Sequence, residues 1–275
     1  MKLLITGGSS YLGQHMVPLA EQEHDVVYTY FSADPLNLPC GIQLDVRDPA
    51  AVNTLVQQVR PDAILHLAGS NRTPDMEAVI VRGAENMVAA AQSVGAKLIH
   101  LSSDVVFDGS AAPYDESAEP MPVHAYGRAK AAAETIVATY PNHVIVRTSL
   151  IYSLRLIDNG TRWMRQAIAD GNPPTLFNDH YRNPIHADDL SLACIELAGN
   201  GVTGMINLVG AQTIIRSAFA RKMLAHWGIS AETVQDAPDN TGSFPKDLRM
   251  SIRRAQTVLQ TTLRGVDQVL EENSE

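Results

Sequence analysis

The sequence contains little cysteine and no excess of basic residues. Its two cysteines, Cys40 and Cys194, lie far apart. This spacing excludes a cysteine metal site and indicates thiols in a reducing compartment. Lys and Arg total 21 against 30 Asp and Glu, and no basic run offsets the net charge of −9. Such a surface repels phosphate backbones, so we expect no nucleic-acid partner. Any anionic ligand must be held locally, by backbone N–H groups or single arginines.

Long apolar runs are also missing. No stretch approaches the roughly 18 residues that a membrane span needs, so we expect no membrane partner. The strand-like KLLIT begins at residue 2 and runs directly into a glycine loop, with no leader pattern before it. We therefore expect a cytoplasmic protein. Hydrophobic residues at 45% and charged residues at 19% are typical of a globular chain.

Short apolar runs alternate with amphipathic stretches over the first 150 residues. The helical pattern covers 12–21, 49–59, 76–94 and 125–140, with Asp48 as cap and Pro49 in the first turn of the second helix. The predicted strands are 2–5, 26–31, 42–44, 63–67, 97–102 and 144–148. Continuous apolar strands that alternate with helices indicate a parallel sheet covered on both faces.

The alternation of strand and helix patterns becomes less regular after about residue 150. Helical patterns remain at 162–169, 188–197 and 217–227, one strand pattern remains at 205–209, and 252–259 is the last clear element. The final EENSE is charged, and we expect it to be frayed. We predict a dinucleotide-binding domain over 1–150. Residues 151–275 are predicted to form mostly a substrate-binding cap, with some segments returning to the core.

The segment TGGSSYLG, residues 6–13, follows the first strand and precedes a helix, where a dinucleotide loop must lie. A spacing of three gives Gly7, Ser10 and Gly13, so the middle glycine is replaced. Serine hydroxyls can supplement the N–H groups of the helix start. A plain strand–helix turn is the alternative. The cofactor contacts predicted here are Gly7, Ser9, Ser10, Tyr11, Leu12 and Gly13. The predicted fold is therefore α/β, a Rossmann-type doubly wound parallel sheet with a small C-terminal substrate-binding cap.

Cofactor preference is read where the second strand ends. An acid there would bind the ribose 2′-hydroxyl and repel a 2′-phosphate. Tyr30, Phe31 and Ser32 provide no acid, which favours NADP over NAD, although we find no arginine to complete a phosphate site. Further cofactor contacts are predicted from the ends of the second, third and fourth strands: Tyr30, Ser32, Asp45, Val46, Leu67, Ala68 and Gly69.

The segment YGRAK places Tyr126 and Lys130 four residues apart on a predicted helix, hence on one face. A lysine charge favours the phenolate and lowers a tyrosine pKa from about 10, so the pair can exchange protons with a carbonyl or alcohol. Ser103, in LSSDVVFDG at the end of the fifth strand, can hold the same substrate oxygen. The alternative is a structural helix pair, with Ser102 and Ser103 in a strand-end turn.

These motifs together resemble the extended short-chain dehydrogenase/reductases. TGGSSYLG, HLAG, SSDVVFDG and YGRAK occur in the family's order and spacing. PYDE (113–116), VRTSLIY (146–152) and FNDHYRNPIHADDL (177–190) are similar to the dTDP-4-dehydrorhamnose reductase-like branch. The resemblance covers most of the chain to about residue 210.

The resemblance implies a catalytic triad of Ser103, Tyr126 and Lys130, with Lys130 also binding the nicotinamide ribose. Further cofactor contacts are then Leu101, Ser102, Thr148 and Ser149, and substrate contacts are Asp104, Val105, Val106, Leu150 and Arg182. Arg182 would meet an anionic group; a surface ion pair is its alternative. Besides Ser10, the sequence departs from the family at Ile80, usually asparagine, and at Leu150, a tryptophan in the rhamnose-forming enzymes. The second departure leaves the sugar open.

The remaining polar residues are given structural interpretations. His66 and His100 fall within apolar strands and are predicted to be core residues, while His180 and His186 lack a third metal ligand. Asp75 and Glu85 are interpreted as solvated helix charges. The predicted function is an NAD(P)H-dependent reductase of a keto group, on a sugar or nucleotide-sugar. The alternatives are a non-catalytic NADP-binding regulatory subunit and a nucleotide-sugar epimerase. Helices on a sheet face are also compatible with a homodimer.

Overall fold

A computed structural model describes residues 1–69 and 74–273. Its strands are β1 Lys2–Thr6, β2 Asp25–Tyr30, β3 Gly41–Gln43, β4 Ala63–His66, β5 Lys97–Leu101, β6 His143–Arg147, β7 Ile151–Tyr152, β8 Thr175–Phe177, β9 Tyr181–Arg182, β10 Ile185–His186, β11 Gly204–Asn207, β12 Ile214–Ile215 and β13 Gln235–Ala237. Its α-helices are α1 Gly13–Ala20, α2 Pro49–Val59, α3 Met76–Val94, α4 Ala125–Val137, α5 Asn159–Ala169, α6 Ala187–Gly199, α7 Arg216–His226, α8 Arg253–Val258 and α9 Val266–Glu272.

A seven-stranded parallel sheet forms the centre, in the order β3-β2-β1-β4-β5-β6-β11. Alternate residues of each strand enter different cores, because side chains on a strand point to opposite faces. Leu3 and Ile5 pack with α1 and α6 on one face. Leu4 packs with α2, α3 and α4 on the other. The predicted Rossmann-type doubly wound sheet is confirmed.

Local capping explains why α2 and α3 begin and end as predicted. The Asp48 carboxylate accepts hydrogen bonds from the N–H groups of Ala50 and Ala51, and Pro49 occupies the first turn of α2. Gly95 closes α3 with φ of 74°, a left-handed conformation that glycine adopts without strain. These caps hold the helices that border the carboxyl ends of the strands.

The second half of the chain pairs mostly with itself. β8 pairs with β13, β9 with β12, and β7 with β10. β11 instead extends the central sheet beside β6. The structure adds α9 near the C-terminus, where we expected fraying: Glu271 and Glu272 lie in this helix, whereas residues 274 and 275 fall outside the described residues. No described helix is long and apolar enough to span a membrane.

Candidate active site

The loop between β1 and α1 is built for close backbone approach. Gly7 has φ of 75°, and a Cβ atom on it would lie 2.8 Å from the backbone nitrogen of Ala68. A methyl group on Gly13 would collide with the carbonyl oxygens of Gly7 and Gly8. The Ser10 hydroxyl accepts a hydrogen bond from the Gly13 N–H at 3.1 Å. Its own hydrogen is not used in that bond, so Ser10 can still donate to a ligand.

A cavity of about 320 Å³ opens above this loop. It brings together the glycine loop with the residues that follow β2, β3 and β4, as expected at the carboxyl edge of a parallel sheet. Its lining consists of Gly7, Ser9, Ser10, Thr29, Tyr30, Phe31, Leu44, Asp45, Val46, Arg47, Ala68, Gly69, Asp75 and Val79. The volume falls within the range of about 300 to 1,000 Å³ that small-ligand sites occupy.

Arg47 corrects one sequence interpretation. We found no arginine near the cofactor ribose, yet Arg47 lines this cavity. Asp75 is exposed, as expected of a solvated charge, and it also accepts a hydrogen bond from Arg47 Nη1 at 2.9 Å. Asp45 binds the same guanidinium, with 2.7 Å from Nη2 to Oδ2. This ion pair holds the Asp45 pKa below its usual range, with the side-chain hydrogen bond as the largest cause.

Tyr126 and Lys130 lie one turn apart on α4, with Lys130 Nζ 5.9 Å from the Tyr126 ring centroid. Nζ donates to the carbonyl oxygen of Leu101 at 2.9 Å, where β5 ends. A Cβ atom on Gly69 would lie 3.2 Å from Nζ. The absence of a side chain at Gly69 therefore lets the ammonium reach the rim of the cavity.

The turn that follows Ser103 makes a tight contact with α4. Ser103 precedes a single 3₁₀ turn, Asp104–Val106, whose Val105 carbonyl oxygen packs against Gly127, the residue after Tyr126. Any Cβ atom at Gly127 would collide with that oxygen. The Ser103 hydroxyl is 3.2 Å from the Asp104 carboxylate. The turn after Ser103 therefore packs on the helix that carries Tyr126 and Lys130, and Lys130 Nζ binds the end of β5.

The charges of Tyr126 and Lys130 differ from the sequence expectation. We predicted that Lys130 lowers the pKa of Tyr126. Instead, burial raises the pKa of Tyr126 to about 12, and the nearby Asp104 carboxylate adds to this shift. Burial lowers the pKa of Lys130 to about 8. Desolvation of the phenol therefore outweighs the lysine charge in this structure.

Comparisons with known proteins identify relatives of this chain by family, by sequence and by fold. The family model described as "RmlD substrate binding domain" matches residues 1–272. The chain belongs to this family. It is 28% identical to a dTDP-4-dehydrorhamnose reductase of Mycobacterium tuberculosis, over 96% of this chain and 88% of that protein. It is 28% identical to methionine adenosyltransferase 2 subunit beta of Xenopus laevis, over 71% of this chain and 61% of that protein. The dTDP-4-dehydrorhamnose reductase of Bacillus anthracis, solved in complex with NADP, superposes with a TM-score of 0.84 at 23% identity, covering 98% of this chain and 97% of that one.

In this RmlD-family chain a buried ion pair anchors α4, the helix that carries Tyr126 and Lys130. Glu134, two turns beyond Tyr126 on α4, binds Arg147 of β6 at 2.8 Å, and both side chains are almost fully buried. The Ser102 hydroxyl donates to the same carboxylate at 2.6 Å. Ser102, predicted to contact cofactor, is therefore engaged with the helix.

Arg182 and Asp104 form a second buried polar group. The Asp104 carboxylate accepts a hydrogen bond from Ser149 at 2.6 Å and lies 3.8 Å from Arg182 Nε. Arg182 also donates to the carbonyl oxygens of Tyr181, Pro245 and Lys246. Because Arg182 is buried, the surface ion pair considered for it is wrong. Arg182 therefore ties the backbone of Pro245 and Lys246 to β9, next to Asp104.

Several predicted contacts lie away from the open cavity. Tyr11 donates to the carbonyl oxygen of Leu156 at 2.9 Å, Ser32 is exposed, and Leu150 packs partly within the cap core. The fully or nearly buried set is Leu12, Leu67, Val106 and Thr148. The Thr148 hydroxyl has no hydrogen-bond partner within the described chain. An orphaned buried hydroxyl just after β6 is suited to bind a ligand group.

The family asparagine position is filled by apolar packing. Ile80 is fully buried, and its Cγ1 would lie 3.3 Å from a Cβ on Gly69. His66 and His100 are buried beside this region, as predicted for core residues, with ring centroids 5.3 Å apart. The residues missed by sequence reasoning are Thr29, Leu44, Arg47, Asp75, Val79, Glu134 and Arg147. The only signal for Arg47 was its position after the third strand, next to Asp45 and Val46, which were predicted to contact the cofactor.

Proposed function

We propose that the protein is an NADP-dependent reductase of a keto group on a sugar nucleotide, with NAD as a second cofactor. The observation that carries this proposal is the position of Lys130 Nζ. It donates to the carbonyl oxygen of Leu101 at the end of β5, lies beside Gly69 of the cavity lining, and is 5.9 Å from the Tyr126 ring centroid. The similarity to a named dTDP-4-dehydrorhamnose reductase over most of both chains supports the substrate class. We further propose that 1–150 hold the cofactor and that most of 151–275 covers the substrate.

The chemistry is a balanced addition of hydride and proton across a carbonyl. When bound, a reduced nicotinamide supplies the hydride to the carbonyl carbon. The Tyr126 hydroxyl delivers the proton to the carbonyl oxygen as the C=O π bond is lost, and Ser103 donates a hydrogen bond to the same oxygen. Lys130 stabilises the phenolate that remains.

A Tyr126→Phe variant tests this assignment. It should lose about 10²- to 10⁴-fold in turnover, because a positioned general acid contributes that much, while NADPH binding stays nearly unchanged. The measurement is NADPH oxidation over a panel of keto sugar nucleotides, with cofactor binding by fluorescence titration. Tyr181→Phe, which removes an exposed hydroxyl of β9, serves as the control and should keep full activity. Equal turnover by Y126F and the wild type would remove Tyr126 from the mechanism.

The similarity to a methionine adenosyltransferase subunit supports a second candidate, a cofactor-binding subunit without its own reaction. Tight NADPH binding without turnover on any keto sugar nucleotide, together with co-elution with a methionine adenosyltransferase, would favour it. An epimerase would instead retain NAD through purification. We propose the cytoplasm as the location, because Cys40 and Cys194 are both free.

A further inference from the structure

We propose that Arg47 recognises the 2′-phosphate of NADP and so sets the cofactor preference of this protein. This inference rests on the proposed function, since it concerns the cofactor of the same site. The second strand ends without the acid that would bind a ribose 2′-hydroxyl and without an adjacent arginine. Among the described residues that line the cavity, Arg47 is the only lysine or arginine. A phosphate bound there has no other cationic side chain in that lining.

Strand pairing brings Arg47 to the correct place. β2 and β3 run parallel with Tyr30 opposite Gln43, so the residues after both strands emerge side by side. Arg47 Cζ lies 5.6 Å from the centroid of the Phe31 ring, which directly follows β2. The guanidinium therefore lies over the end of the second strand, where nucleotide-binding folds distinguish a 2′-hydroxyl from a 2′-phosphate.

The guanidinium retains free donors in a fixed orientation. Nε donates to both Asp45 oxygens at 2.9 and 3.1 Å, Nη2 donates to Asp45 at 2.7 Å, and Nη1 donates to Asp75 at 2.9 Å. An arginine carries five N–H groups. These contacts use one N–H on each nitrogen, so one remains on Nη1 and one on Nη2. Two free N–H groups on one planar guanidinium can donate to the oxygens of a phosphate.

The two carboxylates also weaken this site for a phosphate. Asp45, Arg47 and Asp75 together carry one net negative charge, which opposes a phosphate dianion. The Asp75 side chain is 65% exposed and contacts Arg47 at one atom, whereas Asp45 binds through both oxygens. Asp75 is therefore the residue whose removal should free the arginine without changing its orientation. The pairing explains how one site can prefer NADP and still accept NAD.

The experiment measures equilibrium binding, separately from turnover. Wild type, Arg47→Gln, Asp75→Asn and a control, Arg165→Gln on the exposed face of α5, are titrated with NADPH, NADH, 2′,5′-ADP and 5′-AMP. R47Q should weaken NADPH and 2′,5′-ADP by about tenfold to a hundredfold, the range for lost charge-assisted hydrogen bonds. NADH and 5′-AMP should change less than about threefold, the scale of a surface charge effect. D75N should strengthen NADPH by about two- to fivefold, since it removes one exposed opposing charge. R165Q should change neither cofactor.

The outcomes separate this inference from the proposed function. If R47Q weakens NADH as much as NADPH, Arg47 only supports the shape of the cavity and the inference is overturned. Unchanged NADPH affinity in R47Q overturns it as well. Arg47→Lys, which keeps the charge but loses the fork, covers the case where R47Q does not fold, and it should weaken NADPH selectively. A wild-type protein that binds neither cofactor contradicts the proposed function itself.

Discussion

Replacing Arg147 by methionine should destabilise the protein strongly, because it leaves a buried carboxylate without its counter-ion. The exposed fractions of the Arg147 and Glu134 side chains are only 2% and 4%. Nε and Nη2 of Arg147 both bind the carboxylate, Nη1 binds the carbonyl oxygen of Ala118 at 2.9 Å, and the guanidinium lies 4.9 Å from the Phe107 ring. Methionine can refill the volume but supplies none of these donors.

The magnitude follows from burial. Breaking a buried ion pair by removing one partner costs about 3 to 5 kcal/mol, because the remaining charge stays desolvated. At about 2 to 4 °C per kcal/mol for a chain approaching this length, the midpoint of thermal unfolding should fall by roughly 10 °C. Glu134→Gln alone should cost a similar amount. The double variant should cost less than the sum of the two by about 2 kcal/mol or more, since no charge is then left unpaired.

Urea unfolding followed by circular dichroism measures these free energies. The control is Lys222→Met, which breaks an ion pair with Asp267 at the same 2.8 Å separation but with side chains 39% and 47% exposed. That pair should contribute less than about 1 kcal/mol, because water screens it. Activity should fall with stability in R147M, since α4 carries Tyr126 and Lys130. A loss in R147M no larger than in K222M would refute the reasoning that this pair holds the helix.

Three further predictions concern the same region. Gly127→Ala should lower kcat far more than NADPH affinity in steady-state and binding assays, because its methyl group displaces Val105 and the turn after Ser103. An unchanged kcat would show that this contact does not position Ser103. The kcat/KM for reduction should stay level below about pH 8 and fall above it. Burial lowers the pKa of Lys130 to about 8, so the charge of this lysine is lost as pH rises through that value. A profile that stays level to about pH 10 contradicts this prediction. Burial lowers the pKa of His66 to about 3 and that of His100 well below its usual value. As pH falls below about 6.5, these two histidines therefore take up protons in the unfolded chain before they do so in the folded protein. Stability should then drop by about 1.4 kcal/mol per pH unit for each histidine. His100→Phe should reduce the slope measured by urea unfolding between about pH 6 and pH 4 by that single contribution; an unchanged slope would place the proton uptake elsewhere.

The sheet and its helices were predictable because their signals are local. The bounds of α3, Met76–Val94, match the prediction at both ends, and the start of α2 follows from Asp48 and Pro49. Apolar periodicity and caps need only neighbouring residues. The short strands of the second half carry no such signal. β9 and β12 have two residues each and depend on the pairing of Tyr181 with Ile215, which lie far apart in the sequence.

The candidate site shows the same division. The glycine loop and the YGRAK helix could be placed because each is a continuous segment after a strand. Arg47 could not, since its role depends on the parallel pairing of β2 and β3 and on the ring of Phe31. Glu134 was missed for a related reason. A glutamate on a helix resembles a solvated charge until its buried partner on β6 is known.

The pKa of Tyr126 is higher than expected from the sequence, and this difference bears on how the residue acts in the reaction. A phenol with a pKa of about 12 stays protonated throughout the neutral range, so the proton that a reductase must deliver is already in place. Oxidation of an alcohol would instead need the phenolate, which burial and Asp104 disfavour. The ammonium of Lys130 is charged below about pH 8 and can stabilise the phenolate only after the proton has left. At neutral pH the phenol therefore carries the proton that reduction of a keto group requires.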